Sequence, residues 1–115
     1  MNLWDETIEI LKDNGSRWED VKFITSSDFR ITKDNFEEVA TQTNYNNGYG
    51  EQYIDYNLQL HGDNFVVIRV EYDGFEEWKY ISTKVSEDLK VKTVSKLTKW
   101  FIKKIFNIME KYHEE

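Results

Sequence analysis

The sequence predicts an α+β fold: an antiparallel three- to four-stranded meander, with a long C-terminal helix and one or two shorter helices packed on it. Three observations carry this. Residues 64–82, NFVVIRVEYDGFEEWKYIS, hold two strand-forming runs around Asp73-Gly74, a dipeptide that suits a two-residue turn with positive φ. From Tyr53 the chain alternates with period two, placing Tyr56, Leu58 and Leu60 on one face and Asp55, Asn57 and Gln59 on the other. Near the C-terminus, Val91, Val94, Leu97, Phe101, Ile105, Ile108 and Tyr112 recur at steps of three and four, the spacing of one helix face.

The remaining elements follow in chain order. Asn2 suits a helix N-cap, with Leu3, Trp4, Thr7, Ile8 and Leu11 at helical spacing behind it. Asp5 and Glu6 fall in the first turn, where the helix dipole favours acids, and Gly15 is a stop signal. Val21, Phe23 and Thr25 alternate with Lys22, Ile24 and Ser26, a strand expected at the sheet edge and broken by Ser26-Ser27-Asp28. Thr32 or Asp34 can cap a short helix bearing Phe36, Val39 and Ala40. Residues 41–51, TQTNYNNGYGE, read as a loop because Asn-Asn-Gly and Gly50 are turn chemistry. His61 to Asn64 form the next turn, and Ser86 opens the last helix with Glu87 and Asp88 in its first turn. The expected order is α-β-α-β-β-β-α in one domain spanning residues 1–115.

Composition excludes several functions. There is no cysteine, so disulfides and thiolate metal sites are ruled out and a reducing compartment fits. The N-terminus, MNLWDETIEILK, lacks the basic then apolar pattern of a signal peptide, and no run nears the ~20 apolar residues of a membrane span. A cytoplasmic protein is expected. Net charge is −7, unevenly divided: residues 1–83 hold 17 acids against 7 bases, and residues 84–115 hold 5 against 8. An acidic body repels phosphate, so no direct nucleic-acid contact is expected of it, and a basic protein is the natural partner. The lysines of the last segment, Lys90, Lys92, Lys96, Lys99, Lys103, Lys104 and Lys111, leave a second option, an anionic membrane or nucleic acid. The plainer reading lets that helix pack its apolar face on the sheet.

Catalytic signals are weak. Glu71, Asp73, Glu76 and Glu77 cluster at a hairpin tip where water is plentiful, a setting that suits a partner-facing surface better than acid-base chemistry. His61 and Asp63 give only two potential metal ligands in one turn. No nucleophile elbow and no phosphate-cradling glycine loop is present. No catalytic residue, metal site or cofactor is expected. Tyr72, Phe75, Trp78 and Tyr80 cannot all point inward, so aromatic surface should lie beside the acids, an interface composition.

Three segments, Trp18-x-Asp20-Val21-Lys22-Phe23, Asn44-Tyr45-x-x-Gly48-Tyr49-Gly50 and Glu71-Tyr72-Asp73-Gly74-x-Glu76-x-Trp78, together resemble a group of small proteins carried by phages and prophages of low-GC Gram-positive bacteria. The likeness spans roughly residues 18–81. It implies a non-catalytic protein acting in the cytoplasm of a bacterial host, as an inhibitor of host defence of the anti-CRISPR kind. The expected partner is a basic host protein such as a nucleic-acid-binding nuclease. The expected docking residues are Glu71, Tyr72, Asp73, Phe75, Glu76, Glu77 and Trp78, with Asp55 and Asp63 nearby. Monomer and homodimer both fit.

Overall fold

The computed structural model describes residues 1–46, 53–84 and 87–98. The chain divides into two units, Met1–Val85 and Ser86–Glu115. The first is α+β, with two helices and a five-stranded antiparallel sheet.

Helix α1 spans Leu3–Asp13. Asn2 caps it by accepting the Asp5 N–H at 3.0 Å, and Leu3, Thr7 and Leu11 form its buried face. Gly15 ends it at φ +80°, a left-handed conformation that glycine adopts without a Cβ penalty. A 3₁₀ turn at Trp18–Asp20 leads into β1, Phe23–Ser26. Helix α2, Lys33–Thr41, is capped by Thr32, which accepts the Asn35 N–H at 3.1 Å. Phe36 and Ala40 face inward, whereas Val39 is exposed.

Two features of the sheet differ from expectation. Ser26-Ser27-Asp28 does not simply end a strand. It turns the chain into an additional strand, β2 (Phe29–Ile31), with Ser26 paired to Phe29 and Ser27 held at positive φ. The strand order is therefore β2-β1-β3-β4-β5, and β1 lies inside the sheet, not at its edge. The third strand is also short: β3 covers only Gln59–His61. Tyr53 to Leu58 make a turn instead, because the Asp55 carboxylate accepts the Asn57 N–H at 2.9 Å and the Ser26 hydroxyl, competing with a ladder.

The meander of β3, β4 (Phe65–Tyr72) and β5 (Phe75–Ser82) forms as expected. Asp73 and Gly74 have φ of 54° and 89°, the two positive values of a type I′ hairpin turn. At the other end of β4, Gly62 packs so closely on the Phe65 ring that a Cβ there would approach it to 2.2 Å.

One sheet face meets the helices. Ile24, Leu60, Phe65, Val67 and Trp78 fill the space beneath α1 and α2. Trp4, Trp18 and Phe36 join in an aromatic cluster, with Trp18 stacked on Phe36 at 5.7 Å. The opposite face carries Phe23, His61, Val66, Ile68, Val70 and Ile81, all half-buried.

The expected final helix does not begin where its spacing placed it. Residues 87–98 hold turns and bends and no helix, and residues 99–115 of that helix lie outside the described residues. Leu89, Val91, Val94 and Leu97 are exposed. A β-branched stretch with an unpacked apolar face has little to hold it helical. No helix among the described residues is long and apolar enough to cross a membrane.

Gly62→Ala is expected to lower stability by about 1–3 kcal/mol through overpacking against Phe65, read as a lower urea midpoint at unchanged slope.

Candidate functional site

The hairpin tip is built by period-two alternation. Residues 75, 77 and 79 of β5 point to one sheet face, and 76, 78 and 80 to the other. Tyr72 pairs with Phe75, and both project from the tip, 80% and 42% exposed. Glu71, Asp73 and Glu77 are exposed beside them. The Glu71 carboxylate accepts the Gly74 N–H at 2.6 Å, bracing the turn. Five of the expected docking residues therefore gather at one exposed end.

Glu76 and Trp78 do not. They occupy the core-facing positions of β5 and are 1% and 3% exposed, so the expectation that they join the surface is corrected. Register decides this: Trp78 lies opposite Arg69, which shares the buried face of β4 with Phe65 and Val67. The Arg69 guanidinium sits 4.8 Å from the Trp78 ring centre, and the indole Nε1–H donates to Thr7 Oγ1 at 2.9 Å.

Glu76 belongs to a buried ionic cluster. Arg69 Nη2 donates to Glu76 at 3.0 Å, and Nη1 donates to Glu6 of α1 at 3.2 Å. Glu76 also accepts the backbone N–H groups of Tyr53 and Ile54, at 2.6 and 3.2 Å. Glu6 accepts the Tyr45 hydroxyl and, at 3.0 Å, the Trp78 N–H. Burial, then the hydrogen bond to Glu6, pushes the Tyr45 phenol above its ordinary range, so it stays neutral and donates. Burial works against the Arg69 charge, but Tyr45, Glu6 and Glu76 outweigh it and raise its pKa.

Asp55 and Asp63 are both exposed. Asp55 is engaged with Ser26 and Asn57. Asp63 lies in the turn before β4, and eight strand residues put ~25 Å between it and Asp73. It faces Lys22 at 4.0 Å, an exposed pair of little energetic weight. His61 is stacked on Phe23 at 4.6 Å and bonded through Nε2 to Thr25, away from any ligand set. No group of three or more potential metal ligands occurs among the described residues.

Beside the tip, α1 and β5 enclose a cleft of about 180 Å³. Asp5, Glu6, Glu9, Ile10 and Asp13 line it from the helix, and Phe75, Glu77 and Trp78 from the strand, with Met1 at one end. No lysine or arginine lines it. In the sequence Asp5 and Glu6 read as helix-start signals, and Glu9 and Asp13 carry no motif of their own. Their spacing of four, with no base in phase within the helix, is the available sign. Comparison with protein-family models, with curated proteins and with solved structures gives no match.

The site can stabilise an opposite charge and offer aromatic contact.

Two measurements follow. Arg69→Met should cost about 3–5 kcal/mol, because it strands Glu6 and Glu76 in the interior, whereas Tyr72→Ala should stay within ~0.5 kcal/mol; urea melts of both distinguish buried from surface roles. Burial, aided by Arg30, lowers the His61 pKa from its ordinary 6.5. The unfolded chain then binds the proton more readily, so stability present above pH 6.5 is lost as pH falls below it. A pH series of melting temperatures should show this slope in the native protein and a shallower one in His61→Gln.

Proposed function

We propose that the protein is a non-catalytic, phage-type binding protein that docks on a basic host protein and inhibits it, in the manner of anti-defence and anti-CRISPR proteins. The observation that carries this reading is the hairpin tip, where Tyr72 and Phe75 stand exposed among Glu71, Asp73 and Glu77. Two exposed rings beside three exposed acids make a composition that interfaces use for aromatic anchors. The carboxylates would occupy positions that nucleic-acid phosphates take on a nuclease. Opposite potentials would speed encounter and select the partner, while the rings supply contact area. The target belongs to the class of nucleic-acid-binding proteins with a cationic groove, and the site of action is the host cytoplasm.

A second reading rests on residues 87–98, where exposed Leu89, Val91, Val94 and Leu97 interleave with Lys90, Lys92 and Lys96. Such a segment suits an anionic surface, nucleic acid or membrane. Gel-shift and liposome-pelleting assays with those lysines changed to glutamate separate the two: loss of binding there, with the hairpin variants unaffected, selects the second.

The first reading is tested by binding to a CRISPR nuclease across a salt series. Affinity should fall as salt rises. Asp73→Asn, which keeps a residue suited to the I′ turn, and Glu77→Lys should each weaken binding by about tenfold. Salt-independent binding, or two variants that bind like the native protein, removes this reading.

A further inference from the structure

We propose that the cleft between α1 and β5 seats a lysine- or arginine-rich helical segment of the partner protein. One apolar side chain of that segment enters the cleft over Ile10 and Phe75, and its cations pair with Asp5, Glu9 and Asp13. The assignment rests on reading this end of the molecule as a docking surface for a basic protein, and it names the part of the partner that binds there.

Size excludes one class of occupant. The cleft holds about 180 Å³, below the ~300–1,000 Å³ of small-molecule sites. It suits a single anchoring side chain whose parent segment lies across the rim. The walls give that anchor somewhere apolar to go: Ile10 is half-buried and Phe75 is 42% exposed.

Charge selects the occupant. Asp5, Glu9 and Asp13 repeat every four residues along α1 and all line the cleft, while the helix's one base, Lys12, does not. The helix dipole favours only the first of these acids, which sits in the N-terminal turn, and Lys12 offsets Glu9 alone. Asp13 is in the last turn, where the dipole favours a cation, and carboxylates four apart repel. The α1 helix would be more stable with lysine at either later position. An acidic stripe that weakens its own helix is relieved when cations line up against it. Successive carboxylates lie ~6 Å apart along the axis, the rise of four helical residues. A facing helix with cations four apart has the same repeat, so the charges meet in register as in other helix-in-groove complexes.

Fluorescence anisotropy with a labelled synthetic helical peptide, carrying lysines four residues apart and a leucine between them, tests the assignment. The peptide should bind the full chain with an affinity that falls as salt rises. Glu9→Lys and Asp13→Lys should each weaken it by about tenfold, while their melting temperatures stay level or rise, which separates loss of docking from loss of fold. Changing the peptide leucine to serine should also weaken it. Asp73→Asn should leave peptide binding unchanged. The proposal is overturned if the peptide does not bind the native chain, if the Glu9 and Asp13 variants bind it equally well, or if Asp73→Asn weakens it as much as they do. Because Glu77 lines the cleft as well, Asp73→Asn is the variant of the tip alone: its failure to affect the nuclease, with the cleft variants behaving as stated, counts against the hairpin reading and supports the cleft.

Discussion

Arg69 is the group around which the first unit is organised. Its side chain is fully buried on the core face of β4, and an ion of that size taken out of water must be met by opposite charge and hydrogen bonds. Glu6 comes from α1 and Glu76 from β5. Two carboxylates exceed one guanidinium, and the surplus is met by donors: the Tyr45 hydroxyl and the backbone N–H groups of Tyr53, Ile54 and Trp78. The cluster thus joins a helix, two strands and, at two places, the connection between α2 and β3. Only Arg69 Nε, among the buried side-chain polar atoms described, lacks a partner.

That arrangement also determines register and edge. A one-residue slip of β5 against β4 would turn Glu76 and Trp78 to the opposite face and strand Arg69 in apolar surroundings. The two-residue turn makes Tyr72 and Phe75 the closing hydrogen-bonded pair, so Trp78 directs its N–H to the free edge of β5. Glu6 receives that N–H, and α1 thereby covers an edge that would otherwise invite another strand. The same placement of α1 along β5 creates the cleft. The acids of one helix therefore divide: Glu6 turns to the cluster, while Asp5, Glu9 and Asp13 line the cleft.

The exposed surface is what remains after this cluster has taken its members. Of the four acids near the turn, Glu76 is withdrawn, and Glu71, Asp73 and Glu77 stay in water. Of the aromatics, Trp78 is withdrawn beneath α1, and Tyr72 and Phe75 stay out. The proposed docking surface is smaller on the hairpin than the sequence suggests and larger along α1. Its potential is shaped by a helix whose acids read, one at a time, as ordinary solvated residues.

Local signals were legible where short-range chemistry settles the matter. Asp73-Gly74 specified its turn because few residues accept two successive positive φ values. Asn2 specified one helix start by capping, Thr32 was one of two candidates for the other, and period-two alternation puts Phe65, Val67 and Arg69 on one face of β4. What stayed hidden depended on distance along the chain. Whether that face was buried, that Arg69 would draw in Glu6 from 63 residues away, that Asp55 would turn the chain beside Ser26, and that β2 would extend the sheet all follow from contacts between remote segments. Period-two alternation assigns side chains to faces but does not say which face meets the helices. Only packing decided that, because the cost of burying a charge depends on which partners the fold brings within reach.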